Sequence, residues 1–374
     1  MSPEGDINNI LTVRLAHIGD TLFTTPAIRC LKELYPHASI TALVGGWSKE
    51  LLSNNPYIDE VITLDTPWHN RASDKRFGNV SGLAKTLLAL RRKKYDLAVQ
   101  FGLDYHDNLI CGLSGSKYSI GYAVAGFGFV LSQTVPFSTT PCHDIEHNLH
   151  LVESLGGKCI PSAGELYPSS EDFRFVEEFL DINGLDKSSF ALVHPGVGEK
   201  NRQWTREGFT GVIDGLYNGY GITSVICGGP VDIYEAMKIS EAASVPTVMA
   251  AGETSLLQLA SLASQARVCV CLESSFAHIS AAMGAPTVAI FSGFTDTERW
   301  RVAGDSAITI KIDLPCSTDC DPQACPHRFC LTSITPDRVL MSIEYAMNRS
   351  GNETGSSEEY NNNSNSETSV SMES

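Results

Sequence analysis

The tightest constraint on the fold is an alternation of short β-rich runs with longer amphipathic ones that passes twice along the chain. It begins with a strand at Asn9 to Leu15, a helix around Leu22 to Tyr35 and a strand at Ala38 to Val44. A strand at Glu60 to Leu64, a long helix ending in Arg91, Arg92, Lys93 and Lys94, and the run Tyr95 to Phe101 continue the pattern. Strands separated by helices predict parallel βαβ units, because parallel neighbours are joined only through a crossover. The basic helix end complements the negative pole of the helix dipole and reads as a solvated terminus, with a membrane-surface role as the lesser alternative.

After Ile160 the residues Pro161, Ser162, Gly164, Pro168, Ser169 and Ser170 have the composition of a linker. The alternation then restarts, with strands expected at Phe190 to Val193, Ile222 to Cys227, Thr247 to Ala250, Val268 to Leu272 and Thr287 to Phe291, and a final helix from Pro336 through Met347. A chain of 374 residues exceeds what one hydrophobic core usually serves. The expected division is an N-terminal Rossmann-like domain over 1–165, a C-terminal one with the final helix over 166–350, and a disordered Asn/Ser/Glu-rich tail over 351–374. Open α/β sheets bind ligands at the carboxyl ends of their strands, so two such domains predict a cleft lined by the loops that follow strands.

Charge and hydropathy exclude several classes. With 27 basic and 43 acidic residues the formal charge is −16, which argues against nucleic-acid binding through a basic face. Every apolar run is far shorter than the ~20 residues a bilayer needs, and the start MSPEGDINNI lacks the layout of a signal peptide. A cytoplasmic location is expected, with at most peripheral contact at the inner face of the membrane. Eleven cysteines are spread through the chain, and Cys30, Cys227, Cys269 and Cys271 sit in apolar patterns that read as reduced core residues.

Three loops could carry chemistry. The first strand runs into Ala16-His17-Ile18-Gly19-Asp20-Thr21, where Gly19 permits a tight turn and Asp20 falls near a helix N-terminus. That carboxylate is either an N-cap or a base facing the cleft, able to take a proton from an attacking hydroxyl. In the second half, His194-Pro195-Gly196-Val197-Gly198-Glu199-Lys200-Asn201-Arg202-Gln203-Trp204 offers small residues at Gly196 and cations at Lys200 and Arg202, a plausible diphosphate cradle or a plain surface loop. Gly228, in Cys227-Gly228-Gly229-Pro230, has the same character. The third loop, Glu273-Ser274-Ser275 leading into a helix with His278 one turn in, would present backbone N–H groups and hydroxyls to a phosphate while Glu273 accepts from a sugar or ribose hydroxyl.

These landmarks, from Arg14 to Asp20, from His194 to Trp204 and from Glu273 to Pro286, resemble those of glycosyltransferase family 9, the heptosyltransferases. The resemblance implies a GT-B fold, two Rossmann-like domains facing a central cleft, and inverting transfer of a sugar, heptose from ADP-heptose first among candidates, to a lipopolysaccharide-core or related glycan acceptor. It implies Asp20 as catalytic base and Gly196, Lys200, Arg202, Gly228, Glu273, Ser274, Ser275 and His278 at the donor, without a cofactor or a metal. The family's usual lysine two positions before the tryptophan is here Arg202, and its Asp-Ser/Thr-Gly turn is here Glu273-Ser274-Ser275. Those departures leave open a nucleotide-sugar-binding protein without activity, and the shared two-domain architecture leaves open a GT-B sugar-nucleotide epimerase. Arg71, Lys75 and Arg76 are candidate contacts for an anionic glycolipid acceptor.

Cys316, Cys320, Cys325 and Cys330 have the ligand chemistry of a tetrahedral zinc site but not its paired knuckle spacing, so free thiols or a labile disulfide are the leading expectation. Asp319-Cys320-Asp321 spells the DxD of metal-dependent glycosyltransferases, but it follows no Rossmann strand and reads as chance.

Overall fold

The computed structural model describes residues 5–66, 80–124, 126–138, 140–317 and 320–352. Strands β1 (Asn9–Arg14), β2 (Ser39–Val44), β3 (Glu60–Thr63), β4 (Leu97–Gln100), β5 (Tyr118–Tyr122) and β6 (Gln133–Val135) form a sheet in the order β3-β2-β1-β4-β5-β6. Strands β7 (Phe190–His194), β8 (Thr223–Ile226), β9 (Thr247–Met249), β10 (Val268–Leu272), β11 (Thr287–Ile290) and β12 (Ala307–Ile310) form another, in the order β12-β11-β10-β7-β8-β9. All neighbours are parallel, and each sheet starts at its centre, steps outward, then crosses back past its first strand. That order is the doubly wound one, and its switch points lie between β1 and β4 and between β7 and β10.

Around the first sheet lie α1 (Ile18–Leu22), α2 (Thr25–Leu34), α3 (Val80–Lys93), α4 (Tyr105–Leu113) and α5 (Asp144–Glu153). The second sheet carries α6 (Ser170–Asn183), α7 (Arg206–Tyr220), α8 (Ile233–Ala242), α9 (Leu256–Gln265), α10 (Ser275–Ala282), α11 (Thr297–Trp300), α12 (Phe329–Thr332) and α13 (Pro336–Asn352). Strands read as near-continuous apolar runs because both sheet faces are covered. Ile10 packs on one side with Phe23, Ile28 and Leu149, while Leu11 and Val13 pack on the other with Leu90, Tyr95 and Ile110.

Several expectations are corrected. The helix expected over Leu22 to Tyr35 divides into α1 and α2, because Pro26 in the first turn of α2 has no N–H to carry the bonding on from α1. The final helix runs past Met347 and Gly351 to Asn352, and the remaining acidic tail lies outside the described residues. Cys30 is buried as expected but not reduced: it is bonded to Cys159, 129 residues away, whose Cα lies at 5.3 Å. The buried face of α2 carries Cys30 to the segment that follows α5, and that proximity has no local signal.

The two halves meet through a small apolar cluster in which Leu22, Leu51 and Leu52 of the first touch Ala260 and Ile279 of the second. Glu50 also accepts a hydrogen bond from the N–H of Leu257 at 2.9 Å, at the start of α9. No helix among the described residues is long and apolar enough to cross a membrane.

Candidate active site

The carboxyl ends of β1, β7, β8 and β10 open on one cavity of about 950 Å³ between the halves. His17, Gly19 and Asp20 line one wall, and Gly196, Arg202, Gly228, Glu273, Ser274, Ser275 and His278 line the other. Loops as far apart in sequence as His17 and His278, 261 positions, therefore converge where the doubly wound order predicts a ligand. A Cβ on Gly19 would lie 3.4 Å from the His278 ring, so its bare backbone lets the two walls approach.

Asp20 is not the N-cap of α1. It is the third residue, and its Oδ2 accepts from the N–H of His17, the cap position, at 3.0 Å. Its Oδ1 accepts from Arg14 Nη2 at 3.0 Å. The carboxylate is thus fixed from two sides, as the third residue of a capping box, while still bordering the cleft. Burial opposes the charge on Arg14, yet Asp20, Asp144 and Asp107 around it hold the guanidinium above its ordinary value. Asp107, on α4, accepts from the N–H of Leu15 at 3.1 Å, and burial pushes its carboxyl up to about 7.

On the opposite wall Glu273 is already engaged. Its Oε2 accepts from Ser292 Oγ at 3.0 Å and Thr295 Oγ1 at 2.6 Å, and its Oε1 pairs with Arg202. Arg202 also lies 3.6 Å from Glu199 and over the Phe294 ring at 5.2 Å. Glu273 therefore orients a cation at the cleft more than it waits for a sugar hydroxyl. Beside it, α10 opens at Ser275 with Ser274 as its extended cap residue, and the buried Ser274 Oγ has no hydrogen-bond partner among the described residues. Backbone N–H groups and a hydroxyl at a helix N-terminus are donors of the kind that can receive an anion.

Two expectations shift in character. His278 lines the cleft, but burial and the nearby His143 lower its imidazole to about 3, so it offers a neutral hydrogen-bonding nitrogen and not a charge. Its ring meets Phe23 edge-on at 4.7 Å. Lys200 is not among the lining residues; it starts a single 3-10 turn, and its carbonyl accepts from Arg328 at 3.0 Å. Arg71, Lys75 and Arg76 fall outside the described residues. Cys316, Cys320, Cys325 and Cys330 are free cysteines, and among the described residues no group of three or more His, Cys, Asp or Glu is arranged to hold a metal ion. Asp319 of the DxD is likewise outside the described residues.

The cleft also recruits residues the sequence did not single out. Among them are Trp47, whose Nε1 donates to the Ala16 carbonyl at 2.8 Å, and His194, whose ring stacks on Phe276 at 4.9 Å. Asp232 holds the N–H of Gly229 at 2.8 Å and fills the space a side chain at Gly196 would need, its Cγ lying 2.5 Å from a Cβ there. An acidic residue three positions past a glycine pair was the available signal for Asp232; His194 had only its place before Pro195 and Gly196.

Comparison with known proteins bears on the family and the fold. The family model described as glycosyltransferase family 9 (heptosyltransferase) matches residues 84–327. The chain is 28% identical over 293 residues to lipopolysaccharide heptosyltransferase 3 of Escherichia coli, covering 76% of this chain and 83% of that protein. Its fold resembles a family 9 glycosyl transferase from Veillonella parvula with a TM-score of 0.82 at 21% identity, covering 93% of this chain and 99% of the other. It also resembles E. coli ADP-heptose lps heptosyltransferase II, with a TM-score of 0.72 at 20% identity, covering 92% and 99%.

Proposed function

The chain belongs to glycosyltransferase family 9, and from that membership we propose that it transfers a heptose from ADP-heptose to a hydroxyl of a lipopolysaccharide-core glycan, with inversion. The observation that carries this reading is the pairing of Asp20, on the first wall, with the anion site at Ser274, Ser275 and Arg202 on the second. Asp20 takes the proton of the acceptor hydroxyl as its oxygen attacks the anomeric carbon, and the bond from that carbon to the diphosphate oxygen breaks. Negative charge growing on the departing ADP meets the N-terminus of α10, the Ser274 hydroxyl and the guanidinium that Glu273 orients. These groups are offered in place of a divalent ion, and the reaction is proposed to need none.

The donor side belongs to the second domain, 166–350, and the acceptor to the first, 1–165, where Arg71, Lys75 and Arg76 are proposed to meet anionic groups of the glycolipid. The protein would meet its acceptor at the inner face of the cytoplasmic membrane. An epimerase would also need acid/base groups around the donor sugar but would act without an acceptor, so the products formed with and without acceptor separate the two readings.

Calorimetric titration with ADP, UDP and GDP, followed by product analysis with ADP-heptose and a core acceptor, tests the reading. Preference for ADP and formation of a heptosylated product in chelator-treated buffer is the expected result. Preference for UDP or GDP would discard heptose as donor, and ADP binding without transfer would leave a binding protein.

A further inference from the structure

Behind the candidate base runs a chain of buried charges that crosses from one half of the molecule to the other. Arg14, at the end of β1, is 6% exposed. Its Nη1 donates to the Phe101 carbonyl at 2.8 Å, while its Nη2 is shared by two carboxylates, Asp20 at 3.0 Å and Asp144 at 3.1 Å. The berth is built for it: Gly102 has φ +127°, and a Cβ there would sit 1.8 Å from Nη1. Asp144 opens α5 and is 4% exposed. Its other oxygen, Oδ1, accepts from Arg299 through both Nε at 2.9 Å and Nη2 at 2.7 Å.

Arg299 belongs to α11, which lies between β11 and β12 of the second sheet. Its guanidinium lies 4.6 Å from the centre of the neighbouring Trp300 ring. Trp300 in turn packs against the cores of both halves and lines the cleft, whereas Arg299 does not line it.

We propose that Arg14, Asp144 and Arg299 are positioning residues that tie the placement of Asp20 to the seating of the second half. The proposal rests on the reading of Asp20 as base. Arg14 Nη2 carries two N–H groups, one for each carboxylate, but its single positive charge cannot balance two buried negative ones, and Arg299 supplies the second cation at Asp144. With α11 seated, Arg14 is free to hold Asp20. If α11 withdraws, Arg14 is the one cation left paired with Asp144 among the described residues and is drawn towards it, so the base loses one of its two anchors until the halves come together. A base misplaced by about 1 Å costs up to 10²-fold in rate without any loss of ligand contacts.

The test compares full-length wild type with Arg299→Gln, Arg299→Lys and Arg14→Gln, measuring kcat, the donor KM and the Kd for ADP. Arg299→Gln should lower kcat about 10- to 100-fold while KM and Kd stay within about twofold, and Arg299→Lys should recover much of the loss. Arg14→Gln should lose at least as much. Unchanged kcat in Arg299→Gln, or a parallel loss of ADP affinity, would overturn the proposal, the second because it would make Arg299 a donor ligand.

If wild type transfers no sugar, the base reading fails by itself. A thermal-unfolding cycle of Asp144→Asn, Arg299→Gln and their double variant then still decides the tie. Non-additive Tm losses support a coupled pair, and additive losses overturn it.

Discussion

Replacing Glu273 by glutamine keeps the side-chain volume and removes only its charge and one acceptor atom. In the native site the carboxylate, 10% exposed, accepts from Ser292, from Thr295 and from Arg202, which is 30% exposed. A glutamine amide can serve one of those sides as acceptor; facing the other, its NH2 group must rely on rotated hydroxyls or meet a guanidinium donor. Hydrogen bonds to a charged group contribute roughly 1.5–3 kcal/mol when buried, and a half-exposed ion pair roughly 0–1 kcal/mol. With the hydroxyls able to reorient, Glu273→Gln should cost about 1.5–2.5 kcal/mol, read as a lower urea midpoint at unchanged m. ADP affinity should fall about tenfold, because Arg202 would keep Glu199 at 3.6 Å but lose the ion pair proposed to aim it at the diphosphate. A loss under about 0.5 kcal/mol with unaltered ADP binding would refute the assignment of Glu273 as the anchor of Arg202.

Further perturbations probe other parts of the account. Asp107 has a carboxyl raised from 3.8 to about 7, so the folded state binds a proton that the unfolded chain releases, and stability should fall as pH rises through that window. Melting wild type beside Asp107→Asn should show the variant gaining on wild type from about pH 4 to about pH 7, and a constant difference would contradict the burial argument. Gly196→Ala would drive a methyl into the Asp232 carboxylate, whose Cγ is 2.5 Å away, and should cost about 1–3 kcal/mol as well as ADP affinity in calorimetry. Peptide mass spectrometry without reductant should recover Cys30 linked to Cys159, and reduction should lower Tm, since a cross-link closing so long a loop contributes up to about 5 kcal/mol. Two free thiols at full native stability would contradict it.

Most of the architecture was legible because buried parallel strands write themselves as apolar runs. Thus β1, β7 and β10 are found within a residue of their expected ends. The strands without an expectation are β5, whose YSIGY carries a central glycine, the three-residue β6, and the edge strand β12. None offers a run long enough to stand out against a loop. The cleft was legible for the same reason: a strand, then glycine or serine, then a helix marks a ligand loop, and Asp20, Gly196, Gly228, Glu273 and Ser275 all reach it.

What sequence could not supply was pairing at a distance. Arg14 meets Asp144 across 130 residues and Asp144 meets Arg299 across 155, with no spacing rule to link them. The charge state of His278 was hidden similarly, because its neutrality comes from burial against Phe23 and His143. The bond between Cys30 and Cys159 joins positions 129 residues apart, a pairing that a purely local reading of Cys30 could not have raised.

The most direct test of the central claim is Asp20→Asn, with sugar transfer from ADP-heptose and ADP binding measured on the same preparation. Asparagine keeps the acceptor that meets Arg14 or the His17 N–H but cannot take a proton. A rate lower by about 10²–10⁴-fold, with the Kd for ADP within about twofold of wild type, is the expected result. A variant that retains more than about a tenth of the wild-type rate would contradict Asp20 as the base.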